Sequence, residues 1–146
     1  MAEVNDAGKR SLVGIEGWLI IPAIICVVAP LTHMYGGIEG FVSADKVSSR
    51  VRSIIYLDAM LAFILAAAWA FCGYLMTKRH RRFPHVFISL MVAGLCKLLL
   101  AVFLLAVQGV NIGPLGADFG QAFLPAIIWI PYMLLSSRVK QTFTHE

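Results

Sequence analysis

Four long stretches of apolar residues, separated by polar links, organise this chain. They cover about residues 16–35, 54–77, 85–108 and 119–136. A helix rises 1.5 Å per residue, so about 20 residues cross the roughly 30 Å of bilayer hydrocarbon. The stretches lack the alternation of a membrane barrel strand, and a helix satisfies its own backbone hydrogen bonds in lipid. The pattern predicts an all-α integral membrane protein, a four-helix bundle forming one domain over residues 1–146.

The composition supports a membrane protein. Hydrophobic residues make up 60% of the chain and charged residues 14%, whereas soluble domains have about 45–50% and 25%. All three cysteines fall within apolar stretches, so no disulfide framework is expected. Residues 1–13 show no apolar segment followed by a cleavage site, so we expect the first span itself to direct insertion.

The positions of the basic residues predict the orientation. Three lie on one side of the predicted bundle, and eight lie on the other: Lys9, Arg10, Lys78, Arg79, Arg81, Arg82, Arg138 and Lys140. Cytoplasmic loops are enriched in Lys and Arg, so both termini and the 78–82 link are predicted to be cytoplasmic. The last six of these residues are interpreted as a basic anchor, with anionic headgroups as a compatible second use. The net charge of +4 is therefore explained by lipid, not by nucleic acid.

The links between the apolar stretches differ in length. Residues 36–53 are predicted to form the longest loop, because Gly36, Gly37 and Gly40 indicate an irregular start. Ser43 is suited to cap a helix that begins at Ala44 and runs into the second span. Residues 109–118 are rich in turn formers.

Small residues predict how the helices pack. The second span has Asp58, Ala62, Ala66, Ala70 and Gly73 at spacings of three and four, which places them on one face. Small residues let membrane helices approach closely. A shorter stripe in the third span contains Lys97. Because a short link joins antiparallel neighbours, we expect the two stripes to meet or nearly meet.

Lys97 is the main candidate for a functional residue, because a charge near the bilayer centre costs about 2.5–3.5 kcal/mol on insertion scales. Asp58 is the obvious partner. Counted from the predicted span ends, however, the two lie about 10 Å apart along the membrane normal and lean in opposite directions. The alternatives are a water-bridged link, carbonyls freed by Pro22, Pro30, Pro125 or Pro131, snorkelling, a neutral lysine, or a partner on another chain.

The remaining polar residues suggest no chemistry. Glu16 opens the first predicted helix, and Asp118 and Gln121 open the fourth, where an acid complements the helix dipole. A substrate or proton entrance is the alternative at Asp118 and Gln121. The four histidines show no metal-ligand spacing, and no phosphate loop, nucleophile motif or catalytic carboxylate pair is present. We therefore expect no metal, no cofactor and no enzymatic activity.

Three local patterns resemble a known family. They are Gly14-Ile15-Glu16-Gly17-Trp18-Leu19, the basic link ending in Phe83-Pro84, and the closing Trp129 and Tyr132 followed by Ser137-Arg138-Val139-Lys140-Gln141-Thr142-Phe143. Together they are similar to the YdgK-like family of small bacterial inner-membrane proteins. The resemblance implies a four-helix protein of the bacterial inner membrane and no assigned activity. The closing motif favours a headgroup anchor at Arg138 and Lys140, with Phe143 dipping into the interface.

Two functions follow as hypotheses. The small size, short links and small-residue stripes favour a non-catalytic accessory or scaffold subunit of a membrane assembly. It would be partnered by the lipid bilayer and by other membrane subunits or further copies of itself. The alternative is a small oligomeric transporter or ion or proton conductor that uses Lys97 and Asp58, with its pathway between protomers.

Overall fold

The computed structural model describes residues 17–111, 113 and 116–143. A 3₁₀ turn at Gly17–Leu19 is followed by five helices: α1 (Ile20–Ala44), α2 (Ser49–Thr77), α3 (Phe83–Val107), α4 (Gly116–Leu135) and α5 (Ser137–Thr142). The first three are long and apolar enough to cross a membrane, and α4 contains a shorter apolar helix, Phe119–Leu135. The described chain is thus all-helical, as predicted, and its three long apolar helices indicate a membrane protein.

The predicted loop over residues 36–53 is wrong. Helix α1 continues through Gly36, Gly37 and Gly40 to Ala44, and α2 begins at Ser49. Ser43 caps no helix; its hydroxyl lies inside α1 and donates to the Gly40 carbonyl at 3.1 Å. Glycine costs a helix only about 0.5–1 kcal/mol relative to alanine. At Gly40 the missing side chain permits close packing, since a Cβ there would lie 3.2 Å from the Ala59 Cβ.

Helices α1 and α2 form an antiparallel pair with the most extensive contact in the described chain. Late α1 meets early α2 where Gly40 approaches Ala59, and early α1 meets late α2 where Cys26 approaches Gly73. Gly73 of the predicted small-residue face of α2 therefore packs on α1. Asp58 of the same face contacts Lys97 of α3, so the predicted meeting of this face with α3 holds only in part. Ala70, also predicted on this face, is exposed.

The hydrophobic core lies at one end of the molecule, where the 78–82 link and α5 meet. Trp69 of α2 packs edge-on against Phe87 of α3, with ring centroids 5.4 Å apart. Phe83 stacks on Phe143 at 4.5 Å. Leu19 joins the same cluster and is fully buried. Phe143 thus contributes to the protein core, whereas the sequence predicted that it enters the lipid interface.

The short helix α5 is held by its cap and by its buried face. The Ser136 hydroxyl accepts a hydrogen bond from the Val139 N–H at 3.5 Å. Val139 and Thr142 are each only 1% exposed. The basic residues of α5 are consequently fixed beside the 78–82 link.

Candidate functional site

A salt bridge joins the two ionisable residues singled out in the apolar stretches. The Lys97 Nζ lies 2.7 Å from the Asp58 Oδ1. The expected separation of about 10 Å was wrong because it counted from a start of α2 at residue 54. With the helix ends observed, Asp58 lies nine residues after Ser49, and Lys97 lies ten residues before Val107. The two therefore lie at nearly the same depth, and Lys97 contacts a carboxylate without using proline-freed carbonyls.

The ion pair lies on the wall of a cavity of about 640 Å³. Each of α1 to α4 contributes to the lining, which is mostly apolar. Trp69 and Leu90 line the cavity where it meets the hydrophobic core, and Ile54 and Leu105 line it near the opposite end of the molecule. From Leu90 to Leu105, α3 rises about 22 Å. The hydrophobic core thus lies at the basic end, and the cavity extends from it towards the other end beside the closely packed α1 and α2.

Two further polar residues line this cavity, and the sequence predicted neither of them in one site with Asp58 and Lys97. His33 of α1 and Gln121 of α4 share the cavity wall with Asp58 and Lys97. The early predicted end of the first span placed His33 at a helix terminus, although it lies eleven residues before the end of α1 at Ala44. Gln121 was placed with Asp118 at the start of the fourth span, where a substrate or proton entrance was the alternative to a structural role. The sequence does place a polar residue in each of the four apolar helices, and this pattern was the available signal for a shared polar site.

This arrangement combines charge with an apolar enclosure. Lys97 exposes 19% of its side chain and Asp58 38%, so both charges reach the cavity space while helices cover the rest. Protonation of Asp58 would end the ion pair and leave the Lys97 ammonium as a donor to another acceptor. Among the described residues, no group of three histidines, cysteines or carboxylates is arranged to hold a metal ion.

The basic residues cluster near the link between α2 and α3. Lys78 places its ammonium 5.9 Å from the centre of the Tyr74 ring. Arg79 adopts a positive φ of 50°, and the Arg82 N–H donates to the His80 Nδ1 at 3.1 Å. Arg81 and Lys140 line a second, smaller cavity together, and Arg138 lies half-buried in α5. The fold therefore gathers basic residues from two distant parts of the sequence.

The remaining residues considered in the sequence analysis are two acids at predicted helix starts, three cysteines and the helix prolines. Glu16 lies outside the described residues, and so does the side chain of Asp118, although its backbone is in the first turn of α4. Cys26 and Cys72 are buried, whereas Cys96 is exposed. The helices continue through their internal prolines, Pro30, Pro125 and Pro131.

Comparison with known proteins gives a family but no activity. No curated protein and no solved structure was found to match the chain. Residues 12–144 match the family described as "Protein of unknown function (DUF2569)". This agrees with the expected resemblance to a small uncharacterised family, while the YdgK-like name stays a prediction. Since the match covers nearly the whole sequence, the chain belongs to the DUF2569 family of proteins of unknown function.

Proposed function

We propose that this protein is a small multi-pass transporter or proton conductor of the bacterial inner membrane. In this proposal α1 to α4 form a four-helix bundle with both termini in the cytoplasm. The observation that carries it is the Asp58–Lys97 ion pair on the wall of a cavity of about 640 Å³. Ionisable groups within membrane helices commonly mark ion, proton or substrate pathways.

The distribution of packing supports a site that is open on one side. Trp69 and Leu90 belong to the core and close the cavity at the basic end, and the lining extends to Leu105 at the other end. The positive-inside rule favours the basic end as cytoplasmic. The cavity would then admit water and solutes from the periplasm. Because the lining comes from one chain, this proposal needs no second protomer, in contrast to the sequence prediction of a pathway between protomers.

The ion pair suggests how binding could be linked to a proton. A solute with a carboxylate or phosphate would compete with Asp58 for the Lys97 ammonium. Protonation of Asp58 removes the competing charge and so favours such a solute. His33, on the same wall, is a second group able to carry a proton. The cavity thus offers a charged position within a mostly apolar lining.

The first experiment measures whether water-soluble reagents reach the cavity. In a variant whose three native cysteines are replaced by alanine, Ala101→Cys introduces a thiol on the cavity wall. Leu99→Cys is the matched control, since Leu99 lies at a similar depth, is 52% exposed and does not line the cavity. A membrane-impermeant maleimide added to intact cells should modify the first thiol and spare the second.

The labelling pattern tests both the proposed orientation and the presence of a water-filled cavity. If Ala101→Cys stays unlabelled in intact cells but reacts in inverted vesicles, the proposed orientation is wrong. If both thiols react equally, or neither reacts from either side, a water-filled cavity in the membrane is excluded.

Proton flux across a liposome membrane tests the proposed conduction directly. Purified protein in liposomes holding a pH-sensitive dye should conduct protons above the rate of empty liposomes. Asp58→Asn should abolish this flux and Asp58→Glu should partly restore it, whereas Lys78→Gln, outside the cavity, should leave it unchanged. Equal flux in wild type and Asp58→Asn would refute the role of the pair in proton conduction.

The accessory or scaffold role stays a prediction with a separate test. Lys97 has a partner within its own chain, so it no longer calls for an acidic residue on another subunit. Gentle purification from native membranes followed by mass spectrometry should recover a stoichiometric partner if the protein is a subunit. Recovery as a monomer or homo-oligomer would contradict that role.

A further inference from the structure

A second cavity, of about 290 Å³, lies where the α2–α3 link, the start of α3 and α5 come together. Three basic side chains, those of Arg81, His85 and Lys140, contribute to its wall. We call this cavity the basic groove. Stacking of Phe143 on Phe83 explains why residues so distant in sequence meet here, because it fixes α5 beside the start of α3.

The rest of the groove is apolar. Its lining includes Ile88, Met133 and Leu134, which extend from the basic residues towards the membrane-spanning parts of α3 and α4. A ligand that fits this lining has a compact anionic group and an attached hydrocarbon chain. Leu134 is 53% exposed, so the apolar side of the groove is open to surrounding lipid.

We infer that the basic groove binds the headgroup of an anionic phospholipid. Arg81 offers a planar guanidinium that matches phosphate geometry, and Lys140 and His85 supply further donors. The acyl chains would lie against Ile88, Met133 and Leu134. A free phosphate would match only the basic half of the groove and would make no contact with the apolar half.

The groove is independent of the charged cavity. It belongs to the basic end, and no residue lines both cavities. Its predicted position at the inner headgroups is where anionic lipids attract basic segments. Lipid bound here would join α5 to the α2–α3 link through one phosphate.

Lipid preference of the purified full-length protein tests this inference. Binding of phosphatidylglycerol and of phosphatidylcholine is measured by native mass spectrometry in a neutral detergent. The wild type should prefer phosphatidylglycerol. The double variant Arg81→Gln/Lys140→Gln should bind it about 25-fold more weakly, about fivefold per basic residue lost.

The matched control is Lys78→Gln/Arg82→Gln, which removes the same charge from the same end but from residues outside the groove. It should keep the preference, and equal losses in both double variants would overturn the specific site. A measurement on the wild type needs no altered residue: glycerol 3-phosphate, which lacks acyl chains, should fail to displace phosphatidylglycerol. Displacement at equal concentration would show a soluble-anion site and overturn the lipid assignment.

Discussion

The Asp58–Lys97 ion pair should make the effects of two substitutions strongly non-additive. The perturbation is a double-mutant cycle with Asp58→Asn, Lys97→Met and the two combined. At 2.7 Å, two unit charges attract by about 6 kcal/mol for an effective dielectric constant of about 20. Desolvation of both groups offsets much of this attraction.

The net coupling follows from the exposure of the pair. Fully exposed pairs contribute about 0–1 kcal/mol, and removing one partner of a buried pair costs about 3–5 kcal/mol. Asp58 is 38% exposed and Lys97 19%, so we expect an intermediate coupling of about 2 kcal/mol. The double variant should accordingly be more stable than the sum of the single effects predicts.

Unfolding in mixed micelles, followed by far-UV circular dichroism as the fraction of SDS rises, measures these free energies. Lys78→Met with Asp58→Asn is the control cycle, because Lys78 lies beside Tyr74 at the basic end. Distant pairs should add within about 0.3–0.5 kcal/mol. A coupling below about 0.5 kcal/mol between Asp58 and Lys97 would refute the reasoning.

Two further predictions use the same unfolding assay. Phe143→Ala removes a ring that is 5% exposed and stacked on Phe83, so it should cost about 3–5 kcal/mol, against less than about 1.5 kcal/mol for Phe143→Leu. Arg79→Val should cost about 1–2 kcal/mol because a β-branched residue is strained at the positive φ of this position, whereas Arg79→Asn should be nearly neutral. Equal stability of Phe143→Ala and the wild type would mean that α5 does not hold the basic end together. Equal losses for the two Arg79 variants would assign the effect to charge and not to backbone conformation.

Hydropathy is a good predictor of the long helices because a membrane helix must be apolar along most of its length. The same rule fails at the end of α1. Gly36, Gly37 and Gly40 were interpreted as a loop because glycine disfavours helices, yet here they lie inside one. Close contact with α2 explains Gly40, and that contact depends on a neighbouring helix whose position the local sequence does not specify.

This single error changed the interpretation of the site. Ending α1 at residue 35 placed His33 at a terminus, and starting α2 at residue 54 separated Asp58 from Lys97 in depth. A shift of a few residues at a helix end is enough, since each residue adds 1.5 Å along the axis. The sequence shows which polar residues the apolar helices contain, but it does not show that these residues lie at a similar depth in the membrane.

The ion pair also has a consequence for the order in which the chain enters the membrane. Asp58 is synthesised 39 residues before Lys97, which at about 5–20 residues per second takes about 2–8 s. During this interval α2 carries a carboxylate without its ammonium partner. The short link between the two helices keeps this delay brief and delivers α3 directly beside α2. Entry of α2 and α3 as one hairpin would let the two charges meet before either helix faces lipid alone.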